Sequence, residues 1–395
     1  MSELKDDVLK VIAEVAETEK LKQETQAKKA ILDKKRIDNQ LEALQQNERE
    51  LELARQADYG ALSKERVAEI VIDNDAYMDA AKNPIPFICK TFDGVVPFFR
   101  KNFILVGART GEGKSTAVAN IAYTVLTKKN PVNGKGYRVL VITNEERAED
   151  FYNRVTSLIK GWHYTNHSEF TEEQRKEFRR MIPVLANGGR LTVVDNNHNG
   201  SHGVTTTLEG IESIFDSLLA KKEYYDIVLI DYYQNIISSK KDAYMKENDV
   251  QAKLTRMMDR YKNIYPAPIV MMAQIMPPDK DDKTPFQYRI KGRKIIMDAT
   301  TFAVEMVRDS KNLCTYWHIH KSRFTNYVGE KKTTAYNNGK FEPYTTEWAE
   351  KVQKMAYERK AREINETIDK SNGLPDVFKD ENKNGSGTSS SNEGS

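Results

Sequence analysis

The segment Gly107-Ala-Arg-Thr-Gly-Glu-Gly-Lys-Ser-Thr116 constrains this chain more than any other. The apolar run Phe103-Ile-Leu-Val106 precedes it and a helical stretch from Thr116 to Leu126 follows, so a glycine-rich turn joins a buried strand to a helix. A phosphate-binding loop requires that order. Its glycines let backbone N–H groups turn toward phosphate oxygens, the helix N-terminus adds partial positive charge, and Lys114 brings a full charge to the β- and γ-phosphates. The expected nucleotide-binding residues are Ala108, Arg109, Thr110, Gly111, Glu112, Gly113, Lys114, Ser115 and Thr116, with ATP as the ligand and the Ser115 hydroxyl as a ligand of Mg²⁺. Ala108 occupies the place of the first glycine in the strict pattern.

Other short, unbroken apolar runs supply the neighbouring strands. They are Arg138-Val-Leu-Val-Ile-Thr143, Leu191-Thr-Val-Val-Asp195, Asp226-Ile-Val-Leu-Ile-Asp231, Pro268-Ile-Val-Met-Met-Ala273 and Leu313-Cys-Thr-Tyr-Trp-His318. Such runs fit strands covered on both faces, which predicts an α/β domain with a mostly parallel sheet and helices on both sides, spanning residues 87–348. In an open α/β sheet the ligand crevice lies at the carboxyl ends of the strands. Asp231 ends one strand and is the expected second magnesium ligand, opposite Ser115. Glu145 and Glu146 follow another strand and offer a carboxylate to deprotonate water. Gln274 follows a third, with an amide able to sense a γ-phosphate.

Outside this domain the pattern changes. Residues 1–62 are expected to form a charged helical arm, because the stretch from Leu4 to Arg55 lacks Gly and Pro and is rich in Ala, Glu, Lys, Leu and Gln. Residues 63–86 read as a linker helix stopped by Asn83-Pro-Ile-Pro86, residues 349–370 as a final helix, and residues 371–395 as a disordered tail rich in Gly, Ser and Asn. No apolar run approaches the ~18 residues that cross a bilayer and no signal peptide opens the chain, so a cytoplasmic protein is expected. Two distant cysteines, Cys89 and Cys314, argue against a disulfide scaffold.

A net charge of +3 does not by itself imply nucleic acid, so a basic surface must be sought locally. Residues 283–294 carry Lys283, Arg289, Lys291, Arg293 and Lys294 with no acid, interleaved with Phe286 and Tyr288. Such a segment can neutralise phosphates and stack unpaired bases, which makes it the candidate contact for single-stranded DNA.

Taken in order, these motifs resemble the DnaB-type replicative helicases of the RecA-like class. Ala108-Arg-Thr-Gly-Glu-Gly-Lys-Ser-Thr116 looks like that family's P-loop, and Ile142-Thr-Asn-Glu-Glu-Arg147 is similar to its catalytic segment, which would assign the base to Glu145. Ile230-Asp-Tyr-Tyr-Gln-Asn235 is similar to its second nucleotide motif, and Pro268-Ile-Val-Met-Met-Ala-Gln274 to its sensor strand. Arg289-Ile-Lys-Gly292 resembles the DNA-facing loop, which adds Gly292 to the DNA candidates, and Asp298-Ala-Thr300 resembles the start of the family's next strand. Lys321-Ser-Arg323 matches a Lys-x-Arg that reaches a neighbouring subunit's ATP, implying catalytic roles for Lys321 and Arg323 and a homo-oligomer, a hexamer in the family. The resemblance implies a ring that moves on single-stranded DNA during replication. Nothing upstream resembles the family's primase-binding domain, so a primase, polymerase or loader is expected to engage residues 1–62 or the tail. The residues also admit a RecA-like recombinase or recombination mediator, or a nucleotide-switched assembly module.

Overall fold

A computed structural model describes residues 64–163, 169–196, 204–236, 247–277, 284–291 and 295–372, with six isolated helical positions between Lys34 and Arg49. The rest of the expected arm, and the tail beyond Asn372, lie outside the described residues. The chain divides into two compact units, Met1–Asp73 and Asn74–Ser395. Helix α1, Lys64–Lys82, has no buried residue and exposes Val67, Ile70, Val71, Ile72 and Met78. It ends ahead of Pro84, which disfavours helical backbone in the residue before it.

The second unit is built on a sheet whose strands run in the order β3-β2-β4-β5-β1-β6-β7-β8-β9. These are β1 Phe103–Ala108, β2 Val139–Thr143, β3 Leu191–Val194, β4 Ile227–Asp231, β5 Ile269–Gln274, β6 Phe302–Asp309, β7 Cys314–Ser322, β8 Lys331–Asn337 and β9 Lys340–Pro343. From β3 to β6 every neighbouring pair is parallel, and from β6 to β9 every pair is antiparallel. The mostly parallel sheet expected from the apolar runs is present, enlarged by an antiparallel edge.

Strand residues alternate between two apolar cores, as the period of two demands. Ile104, Val106, Val139, Val141 and Leu229 join Val118, Ile121 and Val125 of helix α2, Lys114–Leu126, on one face. On that face Val155 and Leu158 of α3, Ala148–Lys160, and Met181 and Leu185 of α4, Glu172–Asn187, complete the cover. The other face sets Phe103, Leu105, Leu140 and Ile230 against Phe215 of α5, Leu208–Ala220, and Leu254, Met258 and Tyr261 of α6, Glu247–Ile264. A fully buried aliphatic side chain contributes on the order of 1.5–3 kcal/mol, whereas an exposed ion pair such as Arg66–Glu69 contributes about 0–1 kcal/mol. These two layers, not the surface ion pairs, hold the domain together.

Three strands lie outside the apolar runs read from the sequence: β6, β8 and β9. Glu305 interrupts the apolar residues of β6, and β8 reads Lys-Lys-Thr-Thr-Ala-Tyr-Asn, with one end exposed. Asn120 ties the β8–β9 hairpin to α2, its amide donating to Gly339 O at 2.8 Å and accepting from Phe341 N at 3.0 Å. Among the described residues no helix is long and apolar enough to cross a membrane.

Candidate active site at the strand ends

Strand β1 delivers the P-loop to the carboxyl edge of the sheet, and the turn needs its glycines. Gly111 and Gly113 adopt φ of +81° and +93°, left-handed values that L side chains rarely take. Gly113 caps α2 without a side-chain hydrogen bond, and the first turn of that helix carries no acid, so its N–H groups face a potential anion. Within the loop, Glu112 folds back on Arg109, accepting from its backbone N–H at 3.0 Å and its Nε at 2.6 Å. Two of the expected nucleotide residues are thus paired with each other. Lys114 Nζ lies 5.3 Å from the centre of the Tyr232 ring.

Asp231, at the end of β4, is buried and takes a hydrogen bond from Ser115. Burial pushes its carboxyl up to about 7, and Glu145 and Glu146 push in the same direction, against Ser115 and Lys114. Its Oδ1 is buried without a hydrogen-bond partner. A buried carboxylate oxygen with no donor, beside a serine hydroxyl and near further acids, suits a hard cation. Magnesium typically takes one or two protein oxygens and completes its shell with phosphate and water. Ser115 and Asp231 therefore fit the ion.

The side chain of Asn144 clamps the segment after β4, donating to Tyr232 O at 3.0 Å and accepting from Tyr232 N at 3.1 Å. Its own N–H donates to Asp231 O at 2.8 Å. The ends of β2 and β4 are thereby fixed together, and the two glutamates follow directly. Glu146 is held by Arg154 at 2.6 Å, while Glu145 is exposed and in no ion pair among the described residues. Gln274, level with Ala108 across β1 and β5, donates its amide to Thr110 Oγ1 at 2.6 Å.

Beside the P-loop, on β6, Arg308 lies over the Tyr336 ring at 3.8 Å, and its Nη1 is 4.0 Å from where a Cβ on Gly113 would stand. Neither Asn144 nor Arg308 stands out in the sequence as a site residue. Asn144 sits in a recognisable segment, but nothing local marks Arg308.

A lysine, a serine, a buried aspartate, a glutamate and a glutamine thus meet at the ends of four parallel strands. The model of the DnaB-like helicase C-terminal domain matches residues 89–312, more than half of the chain. The chain belongs to the DnaB-like helicase family. It is accordingly an ATP-hydrolysing enzyme. Two solved structures share the fold. One is described as a DnaB-like replicative helicase and its interactions with primase, 16% identical, covering 75% of this chain and 70% of that one, with a TM-score of 0.53. The other is described as an ATPase domain, 15% identical, covering 73% of this chain and 100% of that one, with a TM-score of 0.52. No curated protein sequence matches significantly.

The remaining candidates of this DnaB-like helicase lie elsewhere on the sheet. Lys321 and Arg323 fall at the end of β7, where Ser322 is level with Phe302, whereas the P-loop leaves β1 at Ala108, level with Met306. Arg323, one residue past Ser322, is level with Thr301, so at about 3.3 Å per residue it stands roughly 16 Å from its own P-loop along the strand direction, at the opposite edge. Lys321 Nζ donates to Met297 O, and Arg323, which is exposed, donates to Asp298 O at 2.8 Å.

Of the DNA candidates, Lys283, Gly292, Arg293 and Lys294 lie outside the described residues, and Lys291 is exposed. Arg289 is buried in a two-pronged ion pair with Glu305, so its charge is answered within the fold. The aromatics also separate, Phe286 being 3% exposed and Tyr288 53%. Of these two, only Tyr288 is exposed to solvent.

Proposed function

We propose that this chain is the subunit of a ring-shaped, ATP-driven translocase that moves on single-stranded DNA as a replicative helicase, with ATP hydrolysed between subunits. The observation that carries the reading is the junction at Gln274. Its side chain holds Thr110 of the P-loop, while its carbonyl accepts from Lys291 N at 3.0 Å and from Gln234 Nε2 at 2.9 Å. Gln234 also donates to Lys291 O at 2.8 Å. A residue able to feel the γ-phosphate is thus hydrogen-bonded to the base of the basic segment.

In this reading Lys114, the α2 N-terminus and the P-loop amides bind the phosphates of ATP. Ser115 and Asp231 would hold magnesium, whose charge, when bound, favours charge build-up on the transferred phosphoryl oxygens. Glu145 orients water and takes its proton, Gln274 reports the γ-phosphate, and Lys321 and Arg323 serve the ATP of the next subunit. Lys291, with the charges of Arg293 and Lys294 that follow it in sequence, serves as the contact to single-stranded DNA in this reading. Residues 1–62 and the tail are left for a loader, primase or polymerase.

A forked DNA duplex tests the proposal. The wild-type chain with ATP and magnesium is expected to release the displaced strand, and Lys114→Ala to release none while keeping its fold. ATP hydrolysis with filament formation on single strands but no strand release would replace the helicase reading with a recombinase or mediator.

A further inference from the structure

One charge of the basic segment is turned inward. Arg289 ends the short helix Phe286–Arg289, and its two terminal nitrogens bond the two carboxylate oxygens of Glu305, Nη1 to Oε1 at 2.8 Å and Nη2 to Oε2. His320 Nε2 meets the same Oε2 at 3.0 Å. Burial would raise the Glu305 carboxyl, but the bonds from His320 and Arg289 outweigh it and hold the group down at about 2, so the pair is ionised. Glu305 is level with Gly107, the residue of β1 just before Ala108.

The other end of that helix is fastened to the same place. The Phe286 ring stacks on His320, with centroids 4.4 Å apart and planes 3° from parallel. It also approaches Gly107 so closely that a Cβ there would stand 2.6 Å from the ring. On the far side Met276 N donates to Arg289 O at 2.7 Å. Packing at Phe286 therefore binds the base of the basic segment to β1, the strand that feeds the P-loop, and charge at Arg289 binds it to the neighbouring β6.

A buried guanidinium–carboxylate pair is a poor source of net stability, because apolar residues of similar volume often do as well or better. What it supplies is orientation: a forked, two-bond contact fixes rotation as well as position, which an aliphatic contact does not. We infer that Arg289 is a positioning residue, acting through Glu305 and His320 to keep the basic segment in register with the P-loop strand, so that the nucleotide state reaches Lys291. The inference rests on the proposed DNA-translocase reading. Arg289 touches neither nucleotide nor strand.

The test compares ATPase with and without oligo(dT), and the salt dependence of oligo(dT) binding, in the full chain. The double variant Arg289→Met with Glu305→Leu removes both charges, and Arg289→Lys keeps the charge while losing the fork. Both are expected to melt near the wild-type temperature with near-normal basal ATPase and an unchanged salt slope. Stimulation by oligo(dT) is expected to fall about five-fold or more in the double variant, the scale of a lost coupling between sites, and to fall also in Arg289→Lys. Full stimulation in either folded variant would make the pair merely structural, and a shallower salt slope would return Arg289 to the DNA contacts. A double variant that does not fold transfers the same readings to Arg289→Lys alone. A wild-type chain unmoved by oligo(dT) would sink the translocase reading itself, whereas retained stimulation in the variants sinks only this inference.

Discussion

Glu145 and Glu146 are adjacent in sequence and both raise the Asp231 carboxyl, but they differ in what holds them. Glu146 is held by Arg154, so its charge is already answered. Glu145 is exposed beside Asp231, whose carboxyl it helps to raise. Glu145→Gln should therefore still bind ATP yet hydrolyse it about 10² to 10⁴ times more slowly, since an amide cannot accept the proton from water. Glu146→Gln should keep turnover and lose about 2 kcal/mol of stability in denaturant unfolding, as Arg154 loses a charged partner. If the slow variant proves to be Glu146→Gln, the base is assigned one residue too early.

Among elements, the antiparallel bridge between Ile275 and Ile290 sets Gln274 beside Lys291, the link on which the proposed translocase depends. Replacing Lys291 with Ala should lower the magnitude of the salt slope for single-strand binding by about 0.7, one phosphate contact's worth. An unchanged slope would move the DNA path away from this segment. The P-loop was legible in the sequence because its parts are consecutive: strand, glycine turn, lysine, helix. Strand β6 was not legible from its own residues, because Glu305 in its middle looks like a surface residue until Arg289, 16 positions earlier in the chain, is folded against it. Without that pairing in view, Arg289 stood with the DNA candidates. A run of cations gives no sign of which one meets a buried acid, and that information exists only after β6 and the basic segment meet. Gln234 and Asn144 are intermediate cases, lying in recognisable segments but with partners supplied by other strands.

The whole molecule is polar from one edge of its sheet to the other. In the proposed reading ATP chemistry gathers at the carboxyl ends of the parallel strands, and Arg323 stands at the opposite edge. Arg323→Ala should bind nucleotide almost normally and lose hydrolysis by about 10³ to 10⁵, the effect of an arginine supplied in trans. Mixing it with Lys114→Ala restores some interfaces that join an intact P-loop to an intact arginine. ATPase should therefore partly return in the mixture, and a mixture as dead as its components would place the arginine's action within one subunit. If Arg323 serves the ATP of the next subunit as proposed, each subunit is a building block with a socket at one edge and a plug at the other, which assembles head to tail, as rings or open rows do. An open row always leaves one socket and one plug unused, so it holds one working site fewer than it has members, and a closed ring wastes none. Turnover per subunit then becomes a census of the assembly: it falls toward zero on dilution, climbs as rows lengthen, and steps upward when the last gap closes.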